Sequence, residues 1–175
     1  MAILQRPRDD EFAPFYASYI GNVPDDTDVL AYLSAQRNDV VRYMSGLPEE
    51  LASRRYAEGK WSVRQVLGHL GDSERVFAYR ALRIARGDQT PLPGWDQERY
   101  VADANFDSRP IGALVADWEA ARNATLTLFE GFEPGYWERR GTANDRVVSV
   151  RALAYIVAGH TAHHLRILRE QYRVI

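Results

Sequence analysis

The chain has no cysteine. That excludes disulfides, thiolate metal ligands and a cysteine nucleophile, and leaves His, Asp, Glu and water to build any metal site. Long apolar runs are missing too: none approaches the roughly 20 residues of a membrane span. The opening Met1-Ala-Ile-Leu-Gln-Arg-Pro-Arg lacks the apolar core of a secretory leader. A cytoplasmic protein with no membrane partner is therefore the simplest expectation. Neither sign of charge prevails, with 22 Lys and Arg against 24 Asp and Glu, a formal net charge of −2 and a pI near 6.1. The arginines are dispersed among acids, so no basic field exists to hold a phosphate backbone, and nucleic acid is not expected as a partner. Repeats, low-complexity tracts and linkers are also absent. With 175 residues, 46% hydrophobic and 26% charged, one domain over residues 1–175 is expected, its core spanning about 27–172.

What is present is helical periodicity. Phe12, Phe15, Tyr16, Tyr19 and Ile20 fall at helical spacing before Gly21 and Pro24, which predicts a short N-terminal segment packed over the rest. From about Thr27 to Ser45, apolar residues recur at three and four behind a capping residue, the mark of a first long helix. Ser62-Val-Arg-Gln65 is a capping box, and Val63, Val66, Leu70, Phe77, Ala81 and Ile84 carry one stripe to Arg86-Gly87. A third helix follows Ser108 and Pro110 and ends at Gly131; a fourth starts at Ser149 and runs to about Tyr172. Residues 87–108 and 132–148 are long irregular connections, the second with room for a short hairpin, and no β-sheet pattern is found elsewhere. Four amphipathic helices with long crossovers predict an all-α four-helix bundle.

Three of the four histidines fall inside Gly159-His160-Thr-Ala-His163-His164. Four residues apart, His160 and His164 lie one turn above each other on the last helix. At about 100° per residue, Leu153, Ile156, Val157, Ile167 and Leu168 lie within roughly 80° of His160, so the pair sits in the stripe that a bundle turns inward. Buried imidazoles need partners. His69, on the second helix about 90° from the middle of its stripe, is the natural third member, and three nitrogen ligands would leave a divalent ion with positions for water or substrate. The same residues also fit a blander arrangement, with His160 and His164 as satisfied polar groups and His69 partly exposed. His163, about 60° to the side, could be a ligand, a group supporting one or a half-exposed surface residue, and ranks below His160 and His164.

Other polar residues are weaker candidates. Glu74 could orient a ligand, although a solvated carboxylate making helix ion pairs is the stronger expectation for it and for Asp72. Trp61 either lines a pocket or packs beside the capping box. Trp95, Asp96 and Tyr100 either cover the site or pin the long connection to the bundle. No side chain stands out as a general base.

The run Gly59-Lys-Trp-Ser-Val-Arg-Gln-Val-Leu-Gly-His69-Leu-Gly-Asp-Ser-Glu74-Arg, the loop Thr90-Pro-Leu-Pro-Gly-Trp-Asp and the segment Gly159-His160-Thr-Ala-His163-His164-Leu-Arg-Ile-Leu together resemble the DinB/YfiT-like superfamily over roughly residues 27–172. The resemblance implies an up-down-down-up bundle, often dimeric, whose divalent metal is held by His69, His160 and His164. It leaves the reaction open among thiol S-transfer, thiol-dependent isomerisation and hydrolysis. The expectation is a metalloenzyme that activates a thiol or water for a small-molecule substrate, with thiol S-transfer first and hydrolysis or a non-enzymatic metal-binding role as alternatives. Zinc or nickel comes first as the metal, iron or manganese next; a low-molecular-weight thiol and a second copy of the chain are the expected partners.

Overall fold

The structure, a computed structural model, describes residues 4–175. Met1–Ile3, part of the stretch searched above for a leader, lie outside the described residues. Four long helices carry the fold: α2 (Val29–Met44), α4 (Val63–Ala85), α6 (Ile111–Glu130) and α7 (Val150–Ile167), the last extended by a π-helical turn over Leu168–Tyr172. Shorter helices, α1 (Ala17–Gly21), α3 (Glu49–Ala52) and α5 (Gln97–Asp103), decorate them. Side chains fix the starts of three long helices: Asp28 accepts from the Leu30 and Ala31 amides, Ser149 accepts from Ala152, and Ser62 with Gln65 closes both bonds of the capping box.

The direction of each helix follows from which ends share a core. One apolar cluster joins Val63, Val66, Leu67 and Leu70 at the start of α4 to Ile111, Leu114 and Val115 at the start of α6. Val40 and Met44 from the end of α2, and Leu168 and Tyr172 beyond the end of α7, complete it. Two helices therefore begin where the other two finish, giving up-down-down-up. Because α4 and α6 run parallel, the chain between them must travel back along the bundle. It forms α5 on the way, packed against α4.

A second cluster fills the other end with Val29, Leu33, Phe77, Ile84, Leu126, Phe129 and Leu153. Between the two lies a polar layer in which Arg122 of α6 is fully enclosed. All five of its N–H groups find acceptors: both carboxylate oxygens of Glu74 at 2.8 and 2.9 Å, Thr161 Oγ1 at 2.9 Å, the Leu33 carbonyl at 3.0 Å and Gln36 Oε1 at 3.3 Å. One guanidinium thus ties all four long helices together at mid-height.

One feature departs from the sequence-based expectation, and another fills the room it left. Residues 97–103 are helical because the Asp96 side chain accepts from the Glu98 and Arg99 amides, a local cap inside a stretch that reads as turns. The room left for a hairpin is taken by β1 (Arg140–Ala143) and β2 (Arg146–Ser149), paired antiparallel from Arg140↔Ser149 to Ala143↔Arg146. Asn144 and Asp145 make the turn at φ 51° and 58°, the two positive values that a tight I′ hairpin requires. Strands of four residues, one containing Gly141, are too short to leave a period-two signature.

Candidate metal centre

Helix α4 places His69 in its second turn, and α7 presents His160 and His164 one turn apart in its second half. The antiparallel packing of these two helices brings the three rings together in the polar layer. His160 Nε2 lies 3.0 Å from His69 Nε2 and 3.2 Å from His164 Nε2. His69, His160 and His164 expose 1%, 5% and 8% of their surface. Burial pushes the His69 pKa down to about 4. It also holds His160 and His164 well below the usual histidine range, with help from neighbouring imidazoles. All three are therefore neutral near pH 7, and each keeps a nitrogen lone pair available.

The donor set suits a first-row divalent ion. Neutral imidazole nitrogens are its ordinary ligands, and three of them leave coordination positions free. A satisfied hydrogen-bonded trio fits less well, because the outer Nδ1 atoms of His69 and His164 are buried with no partner, while the Nε2 atoms converge on one another. Among the described residues, these three form the one group of three or more His, Asp or Glu whose donor atoms can all lie within 4.8 Å of each other.

Aromatic rings wall the centre. Trp95 stacks on His69 at 5.9 Å and 13°, Trp61 tilts against the same ring at 4.7 Å, and Tyr19 meets His160 edge-on at 5.2 Å. Tyr19 is held there by backbone contact between α1 and α7. A Cβ on Gly159 would come within 1.8 Å of the Tyr19 carbonyl oxygen, so only glycine allows this approach. Two cavities open on the histidines. The larger, about 440 Å³, reaches His160 between Tyr19, Phe77 and Trp95; the smaller, about 230 Å³, reaches His164 beside Trp61 and Tyr172.

The candidate residues named from sequence divide clearly. His69 is buried, not partly exposed, because α5 and the connection carrying Trp95 cover the side of α4 that faces outward in an isolated helix. His163 is half-buried, lies edge-on to Tyr19 at 5.4 Å and lines the larger cavity outside the trio. Glu74 corrects the expectation of a solvated carboxylate. It is 3% exposed and paired with Arg122, and that pair reaches the site through the bond from Arg122 to Thr161, next to His160. Asp72 is partly exposed, its nearest cation Arg75 at 4.0 Å. Trp61, just before the α4 cap, both lines the smaller cavity and ties the entry to α4 to α5 through its Nε1 bond to Glu98. Trp95 covers the centre, Tyr100 supports it edge-on at 5.1 Å, and Asp96 is spent as the α5 cap. Tyr19 and Phe77 read from the sequence only as packing residues, and Arg80 carries no signal there. Phe77 was legible as core, and Arg80 follows one turn later on the same face.

The family model described as the DinB superfamily matches residues 32–168. The chain belongs to the DinB superfamily. Within it, a protein of Oceanobacillus iheyensis named "Putative metal-dependent hydrolase" is 30% identical over 145 residues, covering 82% of this chain and 83% of the relative. A Bacillus pumilus protein of the same name is 26% identical over 121 residues, covering 66% of each chain. Among solved structures, YfiT from Bacillus subtilis, described as a "probable metal-dependent hydrolase with an unusual four-helix bundle topology", superposes with a TM-score of 0.71 at 19% identity. That match covers 97% of this chain and 92% of YfiT. It shows that this DinB superfamily member has the YfiT fold.

Proposed function

We propose that the protein is a metal-dependent hydrolase whose divalent ion is held by His69, His160 and His164. The observation that carries this reading is the convergence of three buried, neutral imidazoles beside two cavities. A metal bound there would act as a Lewis acid and lower the pKa of a water in an open position. The chain's own residues supply the rest: Trp61, Trp95 and Tyr19 exclude bulk water from the donor nitrogens, and the Arg122–Glu74 pair, through Thr161, holds the α7 turn that carries His160. The same centre would serve thiol S-transfer, the reading favoured from sequence. Hydrolysis now takes precedence because it is the activity in the names of the curated relatives.

Protein purified without an affinity tag is expected to contain, or to take up, one equivalent of zinc, nickel, iron or manganese. The metal-loaded form should hydrolyse members of a 4-nitrophenyl ester panel without added thiol. In His69→Ala, metal and turnover should be lost while the far-ultraviolet circular dichroism is retained. A wild-type protein that neither contains nor takes up metal would refute the reading; strict dependence on added thiol would replace hydrolysis by thiol transfer.

A further inference from the structure

Four arginines are buried among the described residues: Arg64, Arg80, Arg122 and Arg151. Three face a carboxylate, Arg64 with Glu49, Arg122 with Glu74 and Arg151 with Glu11. Arg80 differs. It is 3% exposed, donates from Nη2 to the Pro93 carbonyl at 2.8 Å, and has no carboxylate in ion-pair reach among the described residues. A buried guanidinium without a counter-charge is costly, and its neighbours, the Pro93 carbonyl, the neutral Tyr16 hydroxyl and the Phe77 ring 5.9 Å away, carry no negative charge and offset only part of that cost.

Its position gives the exception a meaning. Arg80 lines the larger cavity, the one that ends at His160. His69, Ser73, Phe77 and Arg80 descend one face of α4 at steps of four, four and three residues. The Phe77 ring lies between the two ends of the cavity, 6.1 Å from the His160 ring and 5.9 Å from the guanidinium carbon. The walls between them are aromatic, from Tyr16, Tyr19 and Trp95, with Gln97 and Asn144 as neutral polar groups.

We propose that Arg80 is the specificity-determining residue of this cavity and that its missing counter-ion is a carboxylate on the substrate. The substrate is then a small molecule with an apolar or aromatic body, a terminal carboxylate at Arg80 and its reacting group near His160. A single cation matches a monoanion, and the planar fork of a guanidinium suits a carboxylate. This deepens the hydrolase reading and rests on it only for what happens at the histidine end.

Calorimetric titration of the full chain with 3-phenylpropionate and its neutral isostere 3-phenylpropionamide tests the proposal, in zinc-loaded and in chelator-treated protein. The acid is expected to bind about tenfold or more tighter than the amide in both forms. Arg80→Gln should abolish the preference and Arg80→Lys should keep part of it. Equal affinity of the wild type for acid and amide would overturn the proposal, and this comparison needs no variant to fold. So would tighter binding of phenyl phosphate than of the acid. An acid preference confined to zinc-loaded protein and unchanged in Arg80→Gln would place the carboxylate on the metal, overturning the role of Arg80 while leaving the metal centre intact. If zinc fails to bind but the preference still depends on Arg80, the metal reading falls and the anion site stands.

Discussion

A buried carboxylate is stable only through the donors around it, and Glu11 shows how strongly that sets its titration. It is 1% exposed and accepts from Arg151 Nε at 2.6 Å and Ser149 Oγ at 2.8 Å. Burial raises its pKa, but the bonds from Arg151, Ser149 and the Arg8 amide outweigh burial and bring it down to about 2 from an ordinary 4.5. A depressed carboxylate contributes stability that is fully present above its unfolded pKa and lost as pH falls through the folded one. The loss from this group should therefore fall between pH 4.5 and about 2 and amount to about 3 kcal/mol. Urea unfolding at a series of pH values should show this component in the wild type and its absence in Glu11→Gln. An unchanged pH slope in the variant would contradict the assignment.

At the scale of elements, the polar layer makes the bundle one object rather than two stacked cores. Arg122 contributes from α6 to α2, α4 and α7 at once, so removing it strands Glu74 in an apolar interior. Arg122→Met is expected to cost about 3–5 kcal/mol, whereas the double variant Arg122→Met/Glu74→Leu should recover much of the loss, because apolar replacements of a whole buried pair are often neutral. Chemical denaturation of both single variants and the double variant closes the cycle. If the losses simply add, the pair is not coupled. The double variant also probes function, since Thr161 would lose its bond from Arg122 beside His160. The short elements matter in a different way: α1 and α5 contribute little core, but they bring Tyr19, Trp95 and Trp61 into place over the histidines.

At the scale of the whole molecule, a metal that binds only the folded state must stabilise it by mass action. Zinc at a hundredfold excess over its dissociation constant should add about 2.7 kcal/mol, which for a chain of this size raises the melting temperature by roughly 5–10 °C. Scanning calorimetry should show the rise, a chelator should reverse it, and His160→Ala should not show it. Equal shifts in the variant and the wild type would point to metal bound elsewhere. Among the described residues, no helix is long and apolar enough to cross a membrane.

Much of this architecture was legible in the chain because its signals are local. Helix starts are written in capping residues such as Ser62 with Gln65 and Ser149, whose bonds close within three or four positions. The four-residue spacing of His160 and His164 dictates a shared face for the same reason. Three-residue caps such as Asp96 and four-residue strands leave weaker marks, so α5 falls in a stretch that reads as turns and the hairpin shows in the sequence only as room for one. Glu74 was misjudged because helical periodicity cannot say whether a polar residue beside the stripe meets water or a buried guanidinium from another helix. Local signals along the chain were enough for the set of helices, their inward faces and the grouping of the three histidines. The convergence of the imidazole nitrogens, the pairing of Arg122 with Glu74 and the lack, among the described residues, of a carboxylate at Arg80 alone of the buried arginines came from packing. Such pairings join residues tens of positions apart, and their energies depend on distance and burial, which only the packed chain defines.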